Sequence, residues 1–226
     1  MRPIKKIEHQ NQRGVSLPRA RATRAGSVRI IGGQWRRTPL IVPDIDGLRP
    51  SGDRVRETLI IWIRHLFVDL EDRTVLDLFA GSGALGFEAA SQGARRVVMF
   101  EKSNQAVAAL KASQKKLKAD MIEIRSGDSL LLTERLQESF DLIFLDPPFA
   151  LDMHEKVLSR ALRVLKPNGM IYMESPKEMD ITFLEALGLE IIRESMTGNV
   201  AYRLLTLKED WSWALPFIRV RSIRLP

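Results

Sequence analysis

Hydrophobic and polar positions follow two different periods along most of this chain. Short apolar runs alternate with stretches whose apolar residues recur every three or four positions, which predicts buried strands followed by amphipathic helices. The predicted strands are 74–79, 96–101, 121–126, 140–145, 169–174, 189–195 and 200–207, and the predicted helices are 83–92, 103–118, 128–138, 152–165 and 180–187. This alternation is typical of a mostly parallel sheet with helices on both faces.

The two ends of this region break the alternation. Residues 196–199 alone separate the last two predicted strands, and four residues are too few for a crossover, so this pair is expected to be an antiparallel hairpin. Upstream, the run VRIIGGQWRRTPLIVP from Val28 predicts two short strands around Gly32-Gly33. Apolar residues at helical spacing between Val55 and Leu66 predict a helix before the sheet.

We therefore expect an α/β protein with a Rossmann-like, seven-stranded sheet that ends in an antiparallel hairpin. A small β-hairpin and a helix are expected to extend it at the amino terminus. The expected organisation is a basic flexible arm (1–27), an amino-terminal hairpin and helix (28–69), the core (70–207) and a tail without an assigned role (208–226).

Composition excludes several kinds of chemistry. The chain has 226 residues and no cysteine, so disulfides, thiolate catalysis and Cys-zinc sites are absent. Because His9, His65 and His154 are scattered, we expect no metal site. No apolar run reaches the ~18 residues of a membrane span, and the basic amino terminus has no apolar core typical of a secretory signal. These features predict a cytoplasmic protein without membrane contacts.

Charge is distributed unevenly along the chain. The net charge is +7, but residues 1–37 carry ten basic residues against one acid, whereas residues 38–207 carry a net −4. A solvated tail is one explanation for residues 1–26. The other is an electrostatic contact with a phosphate backbone, which is favoured for Arg29, Arg36 and Arg37 because they flank Trp35 in a more ordered segment.

A glycine loop follows the first predicted core strand in the run DLFAGSG, from Asp77 to Gly83. Glycine lets the backbone approach a ligand closely, and the helix that begins there points its free N–H groups at that ligand. Gly81, Gly83 and Gly86 also match the dinucleotide fingerprint, with Glu101 20 residues after Gly81. A dinucleotide-dependent oxidoreductase therefore remains one interpretation.

Acidic residues near the ends of three strands favour a different cofactor. Asp77 lies inside its strand, where dinucleotide sites have an apolar residue, and its carboxylate can reach the loop amides or a cationic amine. Glu101-Lys102 ends the second strand, with a carboxylate suited to two ribose hydroxyls. Asp128 follows the third strand and is equally consistent with an acceptor for an adenine amino group and with a simple helix N-cap.

The run Asp146-Pro147-Pro148-Phe149 closes the fourth strand. An exocyclic amine of a nucleobase is a poor nucleophile because its lone pair is delocalised into the ring. The Asp146 carboxylate and the Pro147 carbonyl can accept its two hydrogens and favour a pyramidal nitrogen, while the Phe149 ring stacks on the base. Positioning of this kind can lower the activation barrier of an in-line methyl transfer by roughly 7–11 kcal/mol.

These motifs resemble a known family. The glycine loop, Glu101 and the Asp146 motif are similar to those of class I S-adenosylmethionine-dependent amino-methyltransferases. Five runs resemble, more closely, the bacterial small-subunit rRNA guanine-N2 methyltransferases of the RsmD family: VRIIGGQWR, LRPSGDRVRETL, FAGSGALGFEA, FLDPPF and VAYRL. The likeness covers about residues 28–207. It implies a monomeric, metal-independent methyltransferase that acts on the N2 amine of one guanine, guanine 966, of 16S rRNA in the 30S subunit.

The resemblance also implies roles for individual residues. Implied cofactor contacts are Asp77, Ala80, Gly81, Ser82, Gly83, Glu101, Lys102 and Asp128, with Arg54 and Glu57 over the methionine end. Asp146, Pro147 and Phe149 are implied to bind a flipped guanine, because a stacked base hides its amine. Implied rRNA contacts are Arg29, Gln34, Trp35, Arg36, Arg37 and Arg49. For Trp35, packing against the core is an equally good explanation.

Three alternatives stay open at this point. An adenine-N6 DNA methyltransferase uses the same acceptor chemistry, although the chain has no insertion large enough for a separate target-recognition domain. An NAD-dependent oxidoreductase requires a catalytic His, Tyr or Lys, and neither Tyr172 nor Tyr202 has a lysine four residues later. The third alternative is a catalytically silent rRNA-binding module.

Overall fold

The structure, a computed structural model, describes residues 27–43, 45, 52–67, 69–149 and 153–208. The strands are β1 (Ser27–Arg29), β2 (Pro39–Ile41), β3 (Thr74–Asp77), β4 (Arg96–Glu101), β5 (Ile122–Ser126), β6 (Phe140–Leu145), β7 (Leu165–Pro176), β8 (Leu189–Thr197) and β9 (Val200–Leu207). The helices are α1 (Asp53–Phe67), α2 (Ala84–Ser91), α3 (Asn104–Leu117), α4 (Ser129–Glu134), α5 (His154–Ala161) and α6 (Phe183–Ala186). None of the helices in these ranges is both long enough and apolar enough to cross a membrane.

Seven of the strands form one mixed sheet in the order β5-β4-β3-β6-β7-β9-β8. Strands β3 to β7 pair in parallel, and β9 pairs antiparallel with both β7 and β8. The chain runs from β3 outward to β5 and then returns to β6 on the other side of β3. This reversal places a topological switch point between β3 and β6, where ligands bind in open α/β sheets. The predicted fold class, including the carboxyl-terminal hairpin, is confirmed.

Alternate strand residues build two apolar clusters, one on each face of the sheet. Val75 and Phe144 belong to the cluster that packs under α1, α2 and α3, while Leu76 and Ile143 belong to the cluster under α5 and α6. This double coverage explains why the central strands read as continuous apolar runs rather than as alternating ones.

Several predicted boundaries were wrong. The helix predicted over 128–138 ends at Glu134, and the helix predicted over 180–187 spans only Phe183–Ala186. Two further differences have clear physical causes. The helix predicted over 152–165 ends at Ala161 and continues only as a 3-10 turn (Leu162–Val164), because β7 already begins at Leu165. Leu165 pairs with β6 before a register shift across the segment that contains Pro167, a residue that cannot continue a helix. The strand predicted over 74–79 ends at Asp77, since the Asp77 carboxylate accepts the Phe79 N–H and turns the chain.

The predicted amino-terminal hairpin is present as β1 paired antiparallel with β2. Its turn is anchored on α2, where the Glu88 carboxylate accepts the N–H groups of Ile31 at 2.7 Å and Gly32 at 2.9 Å. Gly33 has a φ of +72°, and a Cβ there would collide with the Ser91 carbonyl oxygen. Because α2 follows the glycine loop directly, this docking fixes the hairpin next to that loop.

Candidate active site

A cavity of about 830 Å³ opens at the carboxyl ends of the parallel strands. It lies at the switch point between β3 and β6. Its walls include the residues of the glycine loop and of the Asp146 motif: Asp77, Phe79, Ala80, Gly81, Ser82, Glu101, Lys102, Asp128, Asp146, Pro147, Pro148 and Phe149. The glycine loop and the Asp146-Pro147-Pro148-Phe149 motif therefore line the same cavity.

The cavity wall is strongly acidic. Five carboxylates line it, from Asp77, Glu101, Asp128, Asp146 and Glu174, whereas Lys102 is the one basic side chain among its described lining residues. Such a wall attracts a cationic ligand and hydrogen-bond donors, and it repels phosphate groups. Within the described ranges, no group of three or more His, Asp or Glu side chains is arranged to hold a metal ion.

Asp77 is buried beneath the glycine loop, with 2% of its surface exposed. Its carboxylate accepts the N–H groups of Phe79 at 3.3 Å and Gly86 at 3.2 Å. Burial raises the pKa of the Asp77 carboxyl to about 7; the two amide hydrogen bonds oppose this rise, and the charges of Glu101 and Glu174 add to it. With this pKa, Asp77 is close to the midpoint of its titration at neutral pH, so a cation bound beside it would favour its ionised form.

Glu101 is held in place by backbone groups. Its Oε2 accepts the Gly81 N–H at 2.8 Å, and its Oε1 accepts the Ser103 N–H at 2.7 Å. A carboxylate oxygen has a second lone pair, so the same group can also accept from ligand hydroxyls. Because this carboxylate already occupies the Gly81 amide, that amide does not hold a pyrophosphate, and the dinucleotide interpretation loses its main physical support.

Asp128 caps the amino terminus of α4. Its Oδ1 accepts from the N–H groups of Leu130 at 3.0 Å and Leu131 at 3.3 Å, and its Oδ2 lies 3.9 Å from the Lys102 ammonium. The N-cap interpretation is therefore observed. The adenine-acceptor interpretation remains compatible with it, since Asp128 also lines the cavity.

The Asp146-Pro147-Pro148-Phe149 motif directly follows β6 and lies at the cavity mouth. Pro147 is buried, while 36% of the Phe149 surface is exposed. The Phe149 ring lies 6.1 Å from the ring of His154, which is itself buried and has its Nε2 2.9 Å from the Glu174 carbonyl oxygen. This contact gives the exposed ring one supported face at the cavity wall.

Three implied cofactor contacts are not among the residues that line the cavity. Gly83 caps the amino terminus of α2 with a φ of +79°, and a Cβ there would collide with the side chains of Leu110 and Phe87. Helix α1 and the residue before it present Val55 and Gly52 to the cavity, whereas Arg54 and Glu57 are exposed and are not among its lining residues. The reason is helical phase, because positions 52 and 55 share a face that Arg54 and Glu57 do not share. Arg49, also implied as an rRNA contact, lies outside the described residues, as do the predicted arm and the tail after Lys208.

The candidate rRNA contacts divide into two groups. Arg29, Arg36 and Arg37 have exposed side chains on the hairpin. Gln34 is also exposed, and its side-chain amide lies 3.5 Å from the Ala90 carbonyl. In contrast, Trp35 packs against the core, and its backbone N–H donates to Ser91 Oγ at 3.0 Å. For Trp35, the geometry favours packing over base stacking.

Sequence reasoning missed one acidic residue and the far rim of the cavity. Glu174 was missed although it ends an apolar run, IYM, in the same way that Asp77 and Asp146 follow theirs. That signal was available in the sequence. The far rim of the cavity is formed by Thr197, Asn199 and Val200, because β9 pairs with the end of β7. No local sequence pattern predicts this contact.

The sheet order, the glycine loop on the central strand and the acid-lined cavity define a class I methyltransferase. The solved structure of yhhF from Escherichia coli is similar to this chain with a TM-score of 0.70 and 34% identity, covering 81% of this chain and 100% of that one. A family model described as "Conserved hypothetical protein 95" matches residues 28–206, and the chain belongs to this family.

Two curated relatives carry the name "Ribosomal RNA small subunit methyltransferase D". The protein from Haemophilus influenzae is 40% identical over 185 residues, which is 79% of this chain and 93% of the relative. The protein from Escherichia coli K12 is 37% identical over 186 residues, which is 80% of this chain and 90% of the relative. The similarity thus extends over nearly the whole length of both relatives.

Proposed function

We propose that this protein transfers a methyl group from S-adenosylmethionine to the exocyclic N2 amine of one guanine, guanine 966, of 16S rRNA in the small ribosomal subunit. One observation carries the proposal: the glycine loop and the Asp146 motif face each other in a single acid-lined cavity. The names of the curated relatives favour rRNA of the small subunit over DNA as the substrate. The protein is expected to act as a monomer, with S-adenosylhomocysteine as the product.

The residues present fit this cofactor. Its charged parts are a sulfonium and an ammonium, which suit the acidic cavity wall. We expect Asp77 to neutralise the ammonium, Glu101 to accept hydrogen bonds from the ribose hydroxyls, and Asp128 to accept one from the adenine amino group. The backbone of Ala80, Gly81 and Ser82 lines the cavity and would let the cofactor approach closely, while Gly83 supports this loop by forming the turn into α2, and Lys102 would lie beside the adenine.

The acceptor residues position and activate the amine. S-adenosylmethionine supplies an electrophilic methyl group on its sulfonium. Asp146 and the Pro147 carbonyl accept the two amine hydrogens and turn the nitrogen lone pair toward that methyl group. The Phe149 ring stacks on the flipped base and fixes its plane. Asp146 would take up the proton that the amine loses when the methyl group passes from sulfur to nitrogen.

The amino-terminal unit, residues 28–69, is proposed to cover the cofactor and to bind RNA, while residues 70–207 form the catalytic core. Ile45, Gly52 and Val55 line the cavity from this unit, which supports the covering role. The exposed arginines of its hairpin support the RNA contact.

The direct test is to map the methylated base. Small subunits purified from cells that lack this protein are incubated with radiolabelled S-adenosylmethionine and the purified enzyme, and the modified nucleotide is then located by nuclease digestion and mass spectrometry. Methyl-N2-guanine at a single 16S position is the expected result. Transfer to adenine in duplex DNA, or no transfer to any substrate, would contradict the proposal.

Cofactor affinity is expected to fall as the pH drops below 7. Burial raises the pKa of Asp77 to about 7, so the free protein holds a proton there at lower pH, and an entering ammonium must displace it. The dissociation constant for S-adenosylhomocysteine, measured by calorimetry from pH 8 to pH 5.5, should rise by up to about tenfold per pH unit below 7.

Asp77→Asn should bind more weakly at pH 8 and show a flat pH profile. Asp72→Asn is the matched control, because Asp72 is exposed at the opposite edge of the sheet. A wild-type profile as flat as that of Asp77→Asn would refute the role of this carboxylate.

Charge reversal on the hairpin is expected to weaken rRNA binding. Arg36 and Arg37 are exposed, so their guanidinium groups can contact phosphates without any rearrangement of the hairpin. The double change to glutamate should reduce the slope of log affinity against log salt by roughly one for each lost phosphate contact. Filter binding of 16S rRNA at several salt concentrations measures this slope.

A control with the same change in net charge is the double glutamate variant of Lys115 and Lys116. These lysines are exposed in the last turn of α3, at the edge of the sheet away from the cavity. Equal losses of salt dependence in both variants would indicate a nonspecific effect of net charge rather than a binding surface.

A further inference from the structure

Glu174 is the acid of the cavity wall that the proposed mechanism does not use. It lies near the end of β7 and is 5% exposed. Leu145, the last residue of β6, pairs with Met173 of β7, so Glu174 lies beside Asp146, the residue that directly follows β6. Adjacent strands lie roughly 4.7–4.9 Å apart, so the two carboxyl groups lie within reach of one planar base.

Neighbouring groups hold the Glu174 carboxylate in position. The Tyr172 hydroxyl donates to its Oε1 at 2.8 Å, and the Tyr172 ring packs edge-on against Phe144 with centroids 6.0 Å apart. Burial, followed by the charges of Glu174 and Asp146, raises the pKa of the Tyr172 hydroxyl well above its usual value. Tyr172 therefore stays protonated and keeps donating, which leaves Glu174 as an acceptor with a fixed direction.

We propose that Glu174 selects guanine by accepting the hydrogen on its N1 while Asp146 and the Pro147 carbonyl hold the adjacent N2 amine. This inference rests on the proposed function and adds the group that reads the base. N1–H and the N2 amine are neighbouring donors on one edge of guanine. The acceptors of Asp146 and Pro147, just after β6, and of Glu174, near the end of β7, complement this edge. Adenine has a bare acceptor nitrogen at N1, which a carboxylate repels.

Selection of guanine requires an acceptor at this position rather than any polar group. An ionised carboxylate accepts hydrogen bonds and cannot donate them, so it rejects a base whose N1 carries only a lone pair. Sites built around a buried hydrogen-bonding group discriminate strongly against a ligand that lacks the matching donor. Tyr172 acts as a positioning residue in this scheme, because it contacts Glu174 and not the base.

The test uses small subunits reconstituted with 16S rRNA that carries either guanine or 2-aminopurine at the target position. 2-Aminopurine keeps the 2-amino group and lacks the hydrogen on N1. Wild-type enzyme should favour guanine in kcat/KM by about 10- to 100-fold. Glu174→Gln should reduce this ratio to a few-fold, because its amide can donate to the bare N1. Its affinity for S-adenosylhomocysteine, measured at pH 8 where Asp77 is mostly ionised in both proteins, should change little.

Glu190→Gln is the matched control, since Glu190 is exposed on β8 and does not line the cavity. This variant should keep the wild-type ratio. Tyr172→Phe keeps the Glu174 carboxylate but removes the hydrogen bond that orients it. This variant should therefore lower the preference for guanine partially, and it provides a test even if Glu174→Gln folds poorly.

Three results would overturn the assignment. In the first, Glu174→Gln keeps the full preference for guanine. In the second, it loses cofactor affinity by the same factor as activity. In the third, the wild-type enzyme methylates both bases equally. A wild-type enzyme that methylates neither base would instead contradict the proposed function itself.

Discussion

Replacing Asp146 with alanine is expected to lower methyl transfer on the order of 10²- to 10³-fold while affinity for S-adenosylhomocysteine changes less than about twofold. The expected size follows from removing one preorganised acceptor at the reacting atom. The residue lies beyond the end of β6, away from the Gly81–Glu101 contact that holds the glycine loop. Single-turnover rates on small subunits and calorimetric titration of the product measure the two quantities separately.

Glu101→Ala is the matched comparison for this experiment. It removes the acceptor of the Gly81 and Ser103 amides together with the proposed ribose contact. Its main effect should therefore be a loss of affinity for S-adenosylhomocysteine. If both variants lose binding and transfer in the same proportion, the division of the cavity into a donor side and an acceptor side is wrong.

Local sequence patterns located most of this cavity because of a simple topological rule. Parallel strands present their carboxyl ends at one edge of the sheet, so an acid that ends an apolar run falls at the cavity. Asp77, Glu101 and Asp146 were found in this way. Glu174 follows the same rule but belongs to no familiar motif, and its partner Tyr172 looks like an ordinary strand residue.

The remaining differences between the sequence expectations and the structure concern contacts that depend on packing between distant segments. Arg54 and Glu57 were expected at the cavity, but the phase of α1 is set by how Val55 and Leu59 pack against the core. Trp35 appeared equally suited to stacking on RNA because nothing near it in the sequence reveals its hydrogen bond to Ser91, 56 residues away. Such contacts can be predicted only once the position of the hairpin on α2 is known, and the pattern of residues along the chain does not give that position.

Replacing Glu88 with alanine is expected to destabilise the fold by about 3–5 kcal/mol. Arg56 is fully buried, and its guanidinium lies 3.8 Å from the Glu88 carboxylate while donating to the Arg29 carbonyl at 2.8 Å. Glu88 also accepts the N–H groups of Ile31 and Gly32. The substitution therefore removes a buried carboxylate that faces the Arg56 guanidinium and also removes the anchor of the hairpin. Urea unfolding followed by circular dichroism measures the free energy of unfolding.

The matched control is Asp53→Ala, which removes the other acidic partner of the same arginine. Asp53 contacts Arg56 at 2.5 Å, but 76% of its side chain is exposed, so water replaces it at a cost of only about 0–1 kcal/mol. Hydrogen exchange at the Ile31 and Gly32 amides shows whether the hairpin detaches before the sheet unfolds. If Glu88→Ala costs no more than Asp53→Ala and leaves these amides protected, the buried pair does not hold the hairpin against α2. In that case the exposed arginines of the hairpin depend on other contacts for their position beside the cavity.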